Sequence, residues 1–310
     1  MKVSKGFRRV LCRVRPPVLA LGGGGARGFV HIGVMRVLDE MSCPITGVVG
    51  TSMGSVMGAM YLGYGSAAAV EARWREAISE GLLPQVGAVR MVPRAEQREH
   101  PLIQVARRIK NRVVVSFALN RATVLDGELL DAAVDYLVPD MVIEDLPKPF
   151  IAVATNLDTG AEERLDRGSL RLAVKASSSI PGMVPAKRFE GRDMVDGGVI
   201  AEVPVAAARS MGWPVLVVDA SMEIPPPGPE DFALDTMMRT QMMTARLLRE
   251  RQLGESTWVI RPAIGSVAWA EWGVFDTLVA AGETAAREFY DQPPAEAKPP
   301  IPDVGPHPEE

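Results

Sequence analysis

A chain of 310 residues in which 47% are hydrophobic can bury the core of one large α/β domain or of two smaller ones. Its 34 basic residues nearly balance its 38 acidic residues, which excludes broad binding of nucleic acid through a basic surface. The two cysteines, Cys12 and Cys43, form one bridge at most, so the chain is no disulfide scaffold and its composition favours a reducing compartment.

Residues 1–17 are predicted to form a basic arm ahead of the domain. Its only apolar run is too short for a signal peptide, and nowhere does the chain reach the roughly 18 uncharged apolar residues of a membrane span. These features predict a soluble, cytoplasmic protein. Two interpretations of the arm stay open: a solvated, flexible segment, or a peripheral contact with anionic lipid, to which each Lys or Arg contributes about 1 kcal/mol. The basic residues of the arm are Lys2, Lys5, Arg8, Arg9, Arg13 and Arg15.

The next part of the chain alternates between strand and helix patterns. Val18–Leu21 is a predicted buried strand that leads into the glycine run 22–25, and apolar residues then recur at helical spacing over residues 26–41. A second predicted strand covers residues 45–50, and a helix covers residues 55–62. This alternation predicts a parallel sheet with right-handed crossovers.

Residues 79–125 mix prolines, charges and apolar runs, and the pattern there assigns no element. Basic and apolar residues over 102–115 are consistent with a lid, with a membrane-facing surface or with a solvated helix face. Proline dominates from residue 293, so residues 293–310 are predicted to be a disordered tail and residues 18–292 a single domain. The other predicted elements are helices over residues 126–137, 233–251 and 275–290 and strands over residues 150–155, 214–219 and 257–260.

The segment Gly50-Thr51-Ser52-Met53-Gly54 joins the second predicted strand to the following helix. A serine between two glycines at a strand-to-helix turn is typical of a nucleophile elbow, where the turn is so tight that neighbouring side chains are nearly absent. Such a turn leaves the Ser52 hydroxyl exposed at the end of the sheet. The pattern recurs by chance, so its weight comes from the strand before it and the helix after it.

The glycine run has two explanations. Gly23-x-Gly25-x-x-Gly28 after a strand matches a dinucleotide-binding fingerprint, which would make the protein a Rossmann-type oxidoreductase. That fingerprint needs an acidic residue near the end of the second strand, and none stands there, because Asp39 and Glu40 fall within the first helix. In the alternative, bare N–H groups at a helix N-terminus form an oxyanion hole beside a serine nucleophile.

A serine nucleophile needs a base, and the chain has three histidines. His307 lies in the proline-rich tail, and His100 precedes a proline in the irregular segment. His31 stands early in the first predicted helix, where it is expected to pack or to cap locally. These positions favour a carboxylate as the base.

Asp196 is the preferred carboxylate, because the two glycines at 197–198 free the backbone to project it from a strand end. Asp219 ends another predicted strand and is the competitor. Asp126 and Asp158 stand in turn-like contexts and are interpreted as turn formers. From the residues alone, a turn-forming role for Asp196 also stays open.

Together these segments resemble the patatin-like phospholipases, in particular bacterial members related to the esterase domain of neuropathy target esterase. Residues 19–28 resemble the glycine-rich oxyanion segment of that family, residues 50–54 its nucleophile motif, and residues 196–198 the motif that carries the base. Residues 177–185 resemble the block that precedes this aspartate. The resemblance covers roughly residues 18–221, and three motifs in the right order are more specific than any one of them.

The resemblance implies a three-layer α/β/α fold with a mostly parallel sheet and a Ser52–Asp196 dyad that acts without histidine. It implies a serine acyl hydrolase of phospholipase or lysophospholipase type that works through an acyl-serine. The implied oxyanion hole comprises Gly23, Gly24 and Gly25, with Arg27 beside it. Two departures from the family pattern affect the expected pocket shape: Gly22 where a serine is common, and residues 184–186 where Phe-Pro-Pro is common. A catalytically weak member that binds lipid or a partner protein is the alternative.

The expected substrate is a lipid or acyl ester. No cluster of His, Cys or closely spaced carboxylates has metal-ligand spacing, so no metal and no cofactor is expected.

Overall fold

The computed structural model describes residues 14–82, 127–222, 224, 233–265 and 267–291. Several sequence predictions fall outside these ranges and stay predictions. They concern residues 1–13 of the arm, the 102–115 segment, the tail, Cys12, His100, Asp126 and His307.

The described strands form one mixed sheet of eight strands. They are β1 (Val18–Leu21), β2 (Gly47–Thr51), β3 (Phe150–Asn156), β4 (Glu162–Leu165), β5 (Lys187–Phe189), β6 (Arg192–Asp196), β7 (Val215–Val218) and β8 (Trp258–Ile260). Their order is β5-β6-β3-β2-β1-β7-β8, with β4 paired to β3. Strands β3, β2, β1, β7 and β8 run parallel, whereas β4 and β6 run antiparallel to β3.

The described helices connect these strands. They are α1 (Val30–Glu40), α2 (Met53–Tyr64), α3 (Ala67–Ser79), α4 (Glu128–Leu137), α5 (Leu170–Ser177), α6 (Val205–Arg209), α7 (Ala233–Gly254) and α8 (Phe275–Asp291). Short 3-10 turns cover Gly25–Phe29, Ile143–Asp145, Gly197–Val199 and Trp272–Val274. Within the described part of the chain, every helix is too short or too polar to cross a bilayer.

Strand β1 is buried on both faces, which places the sheet between two helical layers. Leu19 and Leu21 belong to the larger core, to which α1, α2 and α8 contribute apolar side chains. Val18 and Ala20, which point to the opposite face, belong to a second core that includes residues of α6. This arrangement confirms the predicted three-layer α/β/α fold with a mostly parallel sheet.

The predicted elements of the first sixty residues are present, with one difference. The helix predicted from residue 26 begins as the 3-10 turn Gly25–Phe29 and becomes an α-helix only at Val30. Residues 170–176, which the pattern left without an assigned element, lie in α5. Strands β4 and β5 were not predicted. They are short and carry charged side chains, so no alternating apolar pattern marks them.

Candidate active site

Ser52 lies at the sharp turn between β2 and α2. Its backbone has φ 52° and ψ −125°, a conformation that costs a residue with a side chain of order 1–3 kcal/mol. Gly54 permits the turn, because a Cβ at this position would collide with the carbonyl oxygen of Leu21. The strained serine and the close approach of α2 to β1 are the geometry that the Gly-x-Ser-x-Gly pattern predicts.

Hydroxyl groups hold the backbone on both sides of this turn. Thr51 Oγ1 donates to the carbonyl oxygen of Ala201 at 2.8 Å, and Ser55 Oγ donates to the carbonyl oxygen of Ser52 at 2.7 Å. The backbone N–H of Ser52 donates to Ser177 Oγ at 3.0 Å. The strained conformation of Ser52 is therefore maintained by contacts from three separate parts of the chain.

Asp196 is the last residue of β6, and the strand register brings it to the level of Ser52. Strands β2 and β6 pair with successive stretches of the same edge of β3, because β4 occupies the opposite edge, and Thr51 of β2 pairs with Val153. The next residue of β3, Ala154, pairs with Asp196. Two residues far apart in the sequence thus meet at one edge of the sheet.

The Asp196 carboxyl group is buried and held from both sides. The backbone N–H of Asp196 donates to the carbonyl oxygen of Ser179 at 2.8 Å, and the Gly198 N–H donates to Oδ1 of the carboxyl group at 2.7 Å. Burial raises the pKa of Asp196 to about 6. Hydrogen bonds from the Ser52 hydroxyl and the Gly198 N–H act against this shift, and the negative charge of Glu202 adds to it. A carboxylate in this state is a stronger base than an exposed aspartate.

The glycine run passes beside the serine, but its first two N–H groups are already in use. Gly22 N–H donates to Val218 O at 3.1 Å, and Gly23 N–H donates to Glu202 O at 2.8 Å. A Cβ on Gly23 would lie 3.4 Å from Ser52 Cβ, so this residue borders the serine directly. The structure therefore differs from the prediction at Gly23: this residue leaves space next to Ser52 but has no N–H to offer an oxyanion, because the Glu202 carbonyl oxygen accepts it.

The N–H groups of Gly24 and Gly25 donate to no backbone carbonyl within the described residues. Gly25 has φ 59°, and a Cβ there would collide with the carbonyl oxygen of Trp269, so a glycine is required. Arg27 Nε donates to Gly24 O at 2.9 Å. Because the C=O and N–H of a trans peptide point in opposite directions, this bond also sets the direction of the Gly25 N–H.

For the oxyanion hole that the family resemblance implies, we expect Gly25→Ala to lower kcat about 10²-fold or more, because the new methyl group cannot coexist with Trp269 O and this turn must shift. Kinetics of ester hydrolysis would measure the effect. Gly160→Ala is the matched control. Gly160 also has a positive φ, of 71°, but a Cβ there meets nothing within 4 Å. Equal losses of activity in both variants would contradict a role of this turn in the reaction.

Two other candidate residues serve local structure. His31 is fully buried in α1, and its Nε2 lies 2.9 Å from Gly22 O, to which the neutral ring donates. Burial lowers the pKa of His31 to about 4, so the ring is neutral at physiological pH. Asp158 lies in an exposed turn that the side chain of Asn156 stabilises by accepting its N–H at 3.0 Å, in line with the turn-forming interpretation.

Asp219, the competing carboxylate, is surrounded by cations. Its Oδ2 lies 3.4 Å from Arg261 Nε and 3.8 Å from Arg249 Nε, and its Oδ1 accepts the Ser221 N–H at 3.0 Å. Arg249, buried on α7, also donates to Glu202 at 3.2 Å. These contacts make Asp219 the counter-ion of two guanidinium groups. This network was not foreseen, since nothing in the local sequence relates Arg249 to Asp219.

The fold and the strained serine define a class: three-layer α/β proteins built around a nucleophile elbow. A family model described as patatin-like phospholipase matches residues 19–209. The chain belongs to the patatin-like phospholipase family. This membership replaces the dinucleotide-binding interpretation of the glycine run.

Individual relatives cover part of the chain. An uncharacterized NTE family protein of Mycobacterium tuberculosis (strain ATCC 25618 / H37Rv) is 32% identical over 206 residues, which are 66% of this chain and 47% of that protein. Patatin-like phospholipase domain-containing protein 6 of Homo sapiens is 31% identical over 199 residues, which are 63% of this chain and 12% of that protein. The chain thus spans less than half the length of either relative. The crystal structure of VipD from Legionella pneumophila superposes with a TM-score of 0.48 at 16% identity, over 89% of this chain and 66% of that chain.

Proposed function

We propose that this protein is a serine hydrolase of lipid carboxylic esters that works through an acyl-serine on Ser52, with Asp196 as the base. The observation that carries the proposal is the placement of Ser52, in a strained turn after β2, beside the buried carboxyl group of Asp196, whose pKa is raised to about 6. Membership of the patatin-like phospholipase family supports a lipid as the source of the ester. Phospholipids and lysophospholipids are the substrates we propose.

In the proposed reaction, Asp196 accepts the hydroxyl proton while Ser52 Oγ forms a bond to the ester carbonyl carbon. The carbonyl π electrons move to oxygen, and the N–H groups of Gly24 and Gly25 stabilise the resulting oxyanion. When the tetrahedral intermediate collapses, the C–O bond to the alcohol breaks and Asp196 returns the proton to the leaving oxygen. Water then attacks the acyl carbon while Asp196 accepts one of its protons; the C–O bond to Ser52 Oγ breaks, Asp196 returns the proton to Oγ, and the fatty acid leaves.

The base has to take a proton from an alcohol, for which an ordinary aspartate with a pKa near 4 is weak. Burial makes Asp196 a stronger base by raising its pKa, because it disfavours the carboxylate relative to the neutral acid. The Gly198 N–H on Oδ1 leaves the second oxygen of the carboxyl group for the serine. A His-free dyad is therefore chemically reasonable at this site.

The proposal is tested by a fluorophosphonate probe and by a panel of p-nitrophenyl esters and phospholipids. We expect the probe to label Ser52, and Ser52→Ala to abolish labelling and to lower turnover at least about 10³-fold. Ser66→Ala is the matched control. Ser66 caps α3, where its side chain accepts the Ala69 N–H at 3.2 Å, so its loss costs about 1 kcal/mol of stability and leaves labelling intact.

Two results would count against the proposal. Labelling that persists in Ser52→Ala would identify another nucleophile. A wild-type protein that binds phospholipid vesicles but neither reacts with the probe nor turns over any ester would support the alternative, a catalytically weak lipid-binding member of the family.

A further inference from the structure

We propose that Ser177 is a positioning residue for the nucleophile. At Ser52 the chain turns away from the sheet, and the hydroxyl of Ser177 supplies the hydrogen bonds that a continuing β2–β3 ladder would have made there. Ser177 is the last residue of α5 and has no exposed surface. Its Oγ accepts the Ser52 N–H at 3.0 Å and donates to the carbonyl oxygen of Val153 at 2.6 Å. Nothing in the reaction proposed above uses this hydroxyl.

The position of this hydroxyl follows from the strand register. Thr51, the last residue of β2, pairs with Val153 of β3, and the ladder between the two strands ends there. The turn at Ser52 carries its N–H away from β3, so this donor and the Val153 carbonyl would both be left buried without a partner. One hydroxyl serves both, because it accepts from one group and donates to the other. Ser177 therefore bridges the ladder at the residue where the elbow begins.

This bridge bears on the orientation of the Ser52 side chain. Ser52 holds a positive φ, and such conformations persist only where the surroundings over-determine them. Without the Ser177 hydroxyl, the Ser52 N–H is expected to turn towards the Val153 carbonyl. That change would rotate φ towards an ordinary value and carry Oγ away from Asp196.

The same short segment also holds the base. The carbonyl oxygen of Ser179, two residues further on, accepts the Asp196 N–H at 2.8 Å. Residues 177–179 thus contact the backbone of the serine at one end and that of the aspartate at the other. We infer that this segment sets the distance between the two groups, which stand at the ends of different strands and share no backbone hydrogen bond within the described residues.

The inference rests on the proposed function and is tested by the kinetics of Ser177→Ala on an ester that the wild type hydrolyses. We expect kcat to fall about 10²-fold, as a misplacement near 1 Å produces, with KM within about twofold of the wild-type value. The rate constant for fluorophosphonate labelling is expected to fall by a similar factor. Rates are normalised to the concentration of sites labelled at completion, so a smaller folded fraction does not imitate the effect.

Ser169→Ala is the matched control, because Ser169 caps the other end of the same helix and also accepts a backbone N–H, from Leu172 at 3.3 Å. It is expected to keep kcat within about twofold of the wild-type value. Equal losses of kcat in Ser169→Ala and Ser177→Ala, or a wild-type kcat in Ser177→Ala, would overturn the inference.

The pair Ser177→Thr and Ser177→Val provides a second comparison that does not depend on the alanine variant. The two side chains have nearly the same shape, so any strain in this fully buried position is shared, and only threonine keeps the hydroxyl. We expect the threonine variant to be at least about tenfold faster than the valine variant, and equal rates would overturn the inference. Failure of the proposed function is a distinct result, since the wild type itself would then be inactive and unlabelled.

Discussion

Replacing Asp196 with asparagine is expected to lower kcat about 10³-fold while Ser52 keeps its place in the elbow. The amide has nearly the shape of the acid and still accepts the Gly198 N–H, but it cannot take the proton of the serine hydroxyl. Ester hydrolysis by the purified variant measures the loss. Asp219→Asn is the comparison variant, because it changes the competing carboxylate in the same way.

The pH dependence of the wild type should report the same group. The base must be ionised to act, and burial raises the pKa of Asp196 to about 6. We therefore expect kcat/KM to rise tenfold per pH unit below about 6 and to level off above it. The residual activity of Asp196→Asn should lack this rise.

Stability provides the control that the variant is folded. The pKa of Asp196 is raised in the folded protein, so its contribution to stability is fully present below the unfolded value of about 4 and is lost as pH rises through about 6. At pH 7 the buried carboxylate is unfavourable, and Asp196→Asn is expected to be at least as resistant to urea as the wild type. Unchanged activity in a folded Asp196→Asn would point to Asp219 or a histidine as the base.

Replacing Arg249 with methionine is expected to lower the free energy of unfolding by about 3 kcal/mol. The Arg249 side chain is 9% exposed and lies between Glu202, at 3.2 Å, and Asp219, at 3.8 Å. Methionine fills a similar volume but leaves two acidic groups near the glycine turn without this cation. Denaturation in urea at pH 7 measures the change.

Arg261→Met is the matched control, because Arg261 also contacts Asp219, at 3.4 Å, but is 53% exposed. Solvent screens such a pair, so the variant is expected to lose less than about 1 kcal/mol. Losses of equal size in the two variants would show that burial of Arg249 adds nothing to its interactions.

Much of the site could be predicted because its geometry depends on short sequence motifs. A serine in a strained turn needs small neighbours, and Gly54 is one of them, since a side chain there would collide with the end of β1. The glycine run at the end of β1 is recognisable for the same reason. Apolar runs such as Val18–Leu21 and residues 150–155 identify central strands because both of their faces are buried.

The antiparallel side of the sheet could not be predicted in the same way. Strand β4 reads Glu-Glu-Arg-Leu and β5 reads Lys-Arg-Phe, and both are largely solvated along one face. Such strands exist because β3 and β6 offer them an edge to pair with, which is a tertiary condition. Yet β6 is the strand that carries Asp196 to the serine.

The sequence by itself determined the elbow, the glycine turn and the alternation of strand and helix, because each depends on residues within a few positions of one another. Only the tertiary structure decided among the carboxylates. Asp219 is engaged by Arg249 and Arg261, which come from later elements, whereas Asp196 is buried beside Ser52. The tertiary structure also decided that the Gly23 N–H donates to the Glu202 carbonyl oxygen and that the Ser52 N–H donates to Ser177 Oγ. Hydrogen bonds and charges between distant segments depend on how the strands are ordered in the sheet, and no local pattern encodes that order.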